Sequence, residues 1–137
     1  MNFKQLHAIY TRPLFDLISQ SRDVHLQHWP GAEVQRCSLL SIKTGGCSED
    51  CAYCAQSAHY RTGLEREDLL PVDTILTEAR RARAQGATRF CMGAAWRGVR
   101  DGTPKFDQVL ETVREVGHLG MEVCVTLGEI GPTEARS

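Results

Sequence analysis

The sequence predicts an α/β fold built on parallel strands. Three observations carry this expectation. Short runs of strand length occur at residues 37–42, 88–93 and 121–127. Two stretches with apolar residues at helical spacing lie between them, and Gly or Pro stands at most junctions. Strand, helix, strand, helix, strand is the βαβ rhythm of a parallel sheet, and no tandem repeat or low-complexity tract interrupts it.

Each element has its own reason. Pro13 stands near a helix start and is followed by Leu14, Leu17, Ile18, Ser21 and Val24, a helical stripe that runs to about His28 before Pro30 and Gly31 break it. Residues 37–42 have strand length and feed through Gly45 and Gly46, which let backbone pass close to a bulky group, into a cysteine-rich loop. Asp73 is suited to cap a helix carrying Ile75, Leu76, Ala79 and Ala82 on one face, with Gly86 at its end. Thr103 and Pro104 open another, whose apolar face is Phe106, Val109, Leu110, Val113 and Val116, with Gly117 near its end. Residues 131–134 read as the start of a third helix after the last strand.

Composition narrows the function classes. The chain has 137 residues, 42% apolar and 24% charged, the make-up of an ordinary globular domain. Sixteen basic and seventeen acidic residues give a net charge of −1, so no single-signed field marks a nucleic-acid or membrane-surface binder. The N-terminus lacks the apolar core of a signal peptide, and no run approaches the ~18 apolar residues of a membrane span. A cytoplasmic protein with small-molecule partners is expected. In that setting six unevenly spaced cysteines point to metal ligation over disulfides.

The most informative motif is Cys47, Cys51 and Cys54, a C-x3-C-x2-C triad in one short loop. Three thiolates so placed can hold three corners of an iron–sulfur cube and leave one iron open to chemistry. A structural zinc site is the alternative; it would need a fourth ligand, for which His59 is the nearest candidate. Tyr53 is either ordinary packing or an aromatic lid over a cofactor. Glu49 and Asp50 read as solvated loop residues, and His7, His25, His28 and His118 have no metal spacing and receive no role. Period-two alternation sends Phe90 and Met92 to one side of their strand and Arg89, Cys91 and Gly93 to the other. The same alternation puts Cys124 with Glu122 and Thr126, opposite Met121, Val123, Val125 and Leu127. Cys91 and Cys124 are therefore expected to share a polar face on neighbouring strands, as a functional pair or as buried core thiols. Cys37 is expected to be a small buried residue.

These residues carry a resemblance. The triad with an aromatic before its last cysteine resembles the radical S-adenosylmethionine superfamily, and three flanking blocks resemble its biotin synthase family: residues 38–45, residues 89–97 from Arg89 to Arg97, and residues 121–128. Residues 54–60 and the N-terminal helical segment fit as well. The resemblance implies that Cys47, Cys51 and Cys54 hold a [4Fe-4S] cluster whose open iron is chelated by S-adenosyl-L-methionine. It implies that Cys91 and Cys124 are two ligands of a [2Fe-2S] cluster, that Gly93, Ala94 and Ala95 approach the methionine part of the cofactor, and that Tyr53 lies on the adenine side. Sulfur insertion into dethiobiotin to form biotin, a flavodoxin- or ferredoxin-type electron donor and a homodimer when full length are implied with them.

The implied architecture is an N-terminal helical preface, residues 1–35, followed by the first three β/α units of a (β/α)8 TIM-type barrel, residues 36–137. Such a barrel takes about 250 residues, so the chain is expected to be truncated and to make no biotin alone. A non-catalytic iron–sulfur or zinc-binding remnant, and another radical S-adenosylmethionine enzyme, are the alternative readings; residues 90–96 and Cys124 argue against the latter.

Overall fold

The structure, a computed structural model, describes residues 1–29, 31 and 33–137. It divides into two compact units, Met1–Val34 and Gln35–Ser137. The first holds two helices, α1 (Phe3–Tyr10) and α2 (Leu14–His28). The expected stripe is α2, preceded by Pro13; Pro30, expected to break it, lies outside the described residues. Helix α1, only eight residues long, is too short for an apolar stripe to stand out in the sequence. Its start is nevertheless defined by a capping box. Asn2 Oδ1 accepts from Gln5 N at 3.0 Å, and Gln5 Oε1 accepts from Asn2 N at 2.8 Å. No residue of either helix is buried.

The second unit contains β1 (Cys37–Lys43), α3 (Val72–Ala84), β2 (Arg89–Ala94), α4 (Pro104–His118) and β3 (Glu122–Thr126), then one 3-10 turn at Glu134–Arg136 where a third helix was expected to start. The strands form one parallel sheet in the order β1-β2-β3. The class is thus α/β with parallel strands, as the alternating pattern predicts. Each strand sorts its side chains by parity. Ile42, Phe90 and Met92 turn toward α3 and α4 and are fully buried, against Ile75, Leu76, Ala79, Phe106, Val109 and Val116. Removing one such side chain from water contributes about 1.5–3 kcal/mol. On the opposite face of the sheet Leu39 is 76% exposed.

Two local expectations change. Asp73 is not the cap of α3; Pro71 occupies that position in extended conformation and Asp73 lies inside the first turn, where its charge suits the helix dipole. Thr112 joins the apolar face of α4, fully buried, because its hydroxyl donates to Gln108 O at 2.7 Å and so carries no unpaired donor into the core. Thr103 does cap α4 by position, with Pro104 at the first turn, although its hydroxyl donates backward to Arg100 O.

Phe90 is 1% exposed at the centre of this core. Phe90→Ala should destabilise the second unit by about 3–5 kcal/mol, read as a lower urea midpoint at unchanged cluster-loop sequence.

Candidate metal centre and cofactor cavity

The loop after β1 is held by its own backbone. Cys47 N donates to Gln56 O at 3.0 Å and Ala58 N donates to Cys47 O at 2.7 Å, an isolated parallel bridge that closes the loop on its first cysteine. Inside it, Cys54 N donates to Cys51 O at 2.9 Å and Ser57 N to Cys54 O at 3.2 Å. Ser57, 5% exposed, donates its hydroxyl to Glu49 O at 2.6 Å and accepts from His59 N at 3.2 Å. The entry to the loop needs glycine: Gly45 has φ +69°, and a Cβ there would stand 3.2 Å from the Arg66 side chain. Gly45 N donates to Gln56 Oε1 at 2.6 Å, which ties the entry to the exit.

Lys43 joins this loop to the sheet. Its ammonium donates to Gly45 O at 2.5 Å and to Ala95 O at 3.1 Å, linking the ends of β1 and β2. Burial pushes its pKa below the ordinary lysine value, with Cys47 the next influence, acting upward. The turn after β3 approaches equally closely. Glu129 N donates to Arg97 O at 2.8 Å, and Gly128, at φ +78°, leaves no room for a Cβ, which would fall 2.3 Å from Arg97 O.

Between the loop and the strand ends lies a cavity of about 520 Å³, within the roughly 300–1,000 Å³ that small ligands occupy. Cys47, Cys51, Cys54 and Tyr53 line it on the loop side, and Gly93, Ala94 and Ala95 on the strand side. The three cysteines are free and half-buried. Among the described residues no group of three or more His, Cys, Asp or Glu side chains converges on a single point. An iron–sulfur cube does not require that, because each thiolate binds a different iron. The donor set fits such a group: three free thiols facing one cavity.

Other residues of the loop are placed as follows. Tyr53 is 94% exposed at the rim. Glu49 is more than a solvated loop residue: its carboxylate pairs with Arg97 Nε at 3.0 Å across the mouth of the cavity. The neighbouring Asp50 carboxylate raises the pKa of the Tyr60 phenol. His59 Nε2 lies 3.1 Å from Ser48 O, so it is engaged with backbone. His118 pairs with Glu115 at 3.3 Å on the surface of α4.

A second group of thiols lies lower on the same sheet face. Cys91 and Cys124 are direct partners in the parallel register of β2 and β3. Burial raises the Cys91 pKa first, and the neighbouring Cys124 thiol adds to it. One row below, Arg89 pairs with Glu122, which also accepts from Gln35 Nε2 at 2.8 Å. Cys37, expected to be buried, is exposed on this same face, because it opens β1 on the side turned away from the helices, with Leu39 and Ser41.

Sequence reasoning missed Lys43, Gln56, Ser57, Gly128 and the Glu49–Arg97 pair. The two glycine-flanked turns were visible as composition. The contacts they permit, between segments some 50 residues apart for Lys43 and Ala95, were not.

The Arg89 hydrogen bond holds the Glu122 carboxyl below the ordinary carboxylate range, with Gln35 contributing second. A depressed carboxylate pKa contributes stability above the unfolded value that is lost as pH falls through the folded one. Glu122→Gln should lower the urea midpoint slightly at neutral pH, the exposed pair being weak, and the difference should vanish in acid below the folded pKa of Glu122.

No family model matches the chain. Curated proteins do. Biotin synthase of Methylobacterium nodulans is 58% identical over 133 residues, 96% of this chain and 40% of that protein. Biotin synthase of Azoarcus sp. is 56% identical over 132 residues, again 96% and 40%. Biotin synthase of Myxococcus xanthus is 53% identical over 135 residues, 98% of this chain and 39% of that protein. The chain thus spans about 40% of the length of the curated relatives it matches.

Proposed function

We propose that this chain is the cluster-bearing N-terminal portion of a biotin synthase, with residues 1–35 as a helical preface and residues 36–137 as the first three β/α units of a (β/α)8 barrel. The observation that carries this reading is the placement of Cys47, Cys51 and Cys54 on one wall of a cavity whose other wall is Gly93, Ala94 and Ala95. Relatives named biotin synthase, more than half identical over almost the whole chain, support it.

In this reading Cys47, Cys51 and Cys54 hold a [4Fe-4S] cluster, and Cys91 and Cys124 are two ligands of a [2Fe-2S] cluster. When bound, the first cluster supplies an electron for reductive cleavage of S-adenosyl-L-methionine, and the second supplies sulfur for dethiobiotin. The residues of this chain do the positioning. The Cys47–Ser57 bridge and the Lys43 ammonium fix the loop against the strand ends, so that the three thiols face the cavity. Gly93, Ala94 and Ala95 present backbone to the cofactor, since small side chains leave it accessible. Tyr53 stands at the rim beside the adenine position, and the Glu49–Arg97 pair borders the mouth. The half-shielded Cys91 and the adjacent Cys124 hold their group deeper on the sheet face, which keeps the two clusters on separate ligand sets.

The same reading places the protein in the cytoplasm as a homodimer when full length, reduced by a flavodoxin- or ferredoxin-type protein and acting on dethiobiotin. Among the described residues no helix is long and apolar enough to cross a membrane.

Anaerobic reconstitution with iron and sulfide should give a coloured cluster on this chain, and Cys47→Ala, Cys51→Ala or Cys54→Ala should each abolish its visible absorption. Stoichiometric zinc with no uptake of iron would replace the radical-enzyme reading by a structural zinc site. In a full-length relative, substituting the cysteine equivalent to Cys91 or Cys124 should remove the [2Fe-2S] signal and spare the loop cluster. Joint loss of both signals, or of neither, would break this division of ligands.

A further inference from the structure

Lys43 is a cation without a counter-ion. It closes β1 half-buried, and among the described residues it forms no ion pair. Two carbonyl oxygens hold its ammonium instead, Gly45 O at 2.5 Å and Ala95 O at 3.1 Å. Asp68 acts on it from farther off, but that carboxylate is paired with Lys105 at 3.3 Å. Shielding a charge from water is costly unless an opposite charge compensates it, and carbonyl dipoles compensate only in part. Burial is the first influence on the Lys43 pKa, downward, and the first upward one comes from Cys47.

The side chain stands behind the cysteine loop and outside the cofactor cavity. It lines a separate polar cleft of about 260 Å³ with Gly45, Gly46, Arg66, Glu67 and Asp68, and takes no part in the wall that the three thiols share. Both carbonyl partners come from the loop that follows β1 and the end of the neighbouring β2, so the arrangement is complete within this chain. Lys43 thus touches neither cofactor nor substrate, and its charge reaches them only through the loop.

We propose that Lys43 is a positioning residue that serves as counter-ion to the cluster loop, its fixed positive charge behind Cys47 raising the reduction potential of the group the three thiolates hold. The inference rests on the reading of Cys47, Cys51 and Cys54 as cluster ligands. Reduction adds one electron from an external reductant and so one negative charge to that group. A fixed cation nearby therefore stabilises the reduced form more than the oxidised one. Groups beyond the ligands commonly tune a metal centre in this way. Because the same ammonium also holds Ala95 O, the charge is pinned to the strand end that forms the opposite cavity wall.

The experiment reconstitutes this chain anaerobically with iron and sulfide and titrates the cluster with dithionite and redox mediators, following the reduced form by electron paramagnetic resonance. Lys43→Met should lower the equilibrium constant for reduction about tenfold, which for a one-electron couple is a fall of about 59 mV. Lys43→Gln, which keeps a donor for the carbonyls but loses the charge, should fall with it, and Lys43→Arg should stay near the unsubstituted chain. The direction of the shift separates charge from shape, because a merely loosened loop admits water, which favours the more highly charged reduced form and raises the potential. An unchanged or raised potential in Lys43→Met and Lys43→Gln, or a fall in Lys43→Arg equal to theirs, overturns the proposal. Iron uptake lost in the two neutral variants but kept in Lys43→Arg, at unchanged circular dichroism of the metal-free chains, supports it; uptake lost in all three overturns it. If the unsubstituted chain itself takes up no iron, the reading of the three cysteines falls and the proposal falls with it.

Discussion

The parallel register of three strands is the constraint on which the rest of the molecule depends. Because successive side chains alternate across a strand, one slip in pairing would exchange the two faces. In register, Phe90, Met92 and Ile42 meet the helices, and Cys91, Cys124, Gly93 and Thr126 meet the open side. Burial of the first set is what makes the second set's positions reproducible. Helices α3 and α4 pack on one face of the sheet. The other face carries the Cys91–Cys124 pair and borders the cavity.

Above that frame the cysteine loop has no regular secondary structure, yet it is tied at both ends. The Cys47–Ser57 bridge and the Gly45–Gln56 hydrogen bond join entry to exit, and Ser57 satisfies backbone groups that burial would otherwise leave unpaired. Lys43 then fastens the loop to two strand ends. Losing one hydrogen bond here would cost only about 0.5–1.5 kcal/mol in stability, but it would displace thiols whose use depends on position. The same logic explains Gly128, whose missing Cβ lets the turn after β3 close against Arg97.

Much was legible in the sequence because it was written in local periodicity. The strand parity of residues 121–127, the stripe of α4 and the C-x3-C-x2-C spacing are short-range patterns, and each follows from the geometry of its own element. Helix α1 was not legible because eight residues give too few turns for a stripe to stand out, and its start depends on one capping box. Asp73 was misassigned because Pro71 offers the helix an extended entry two residues earlier.

What the sequence determined by itself, then, is the alternation of elements, the apolar faces that close the core, and the kinds of donor available to a metal. These depend on residue type and on spacing within one turn or one strand. The tertiary structure alone decided that Cys37 is exposed, that Cys91 and Cys124 are register partners, that Arg89 pairs with Glu122 across β2 and β3, and that Lys43 spans from the loop to Ala95. Those facts depend on which strand lies beside which and in what register. Such pairing is set by the burial of the whole core, and no single segment contains it.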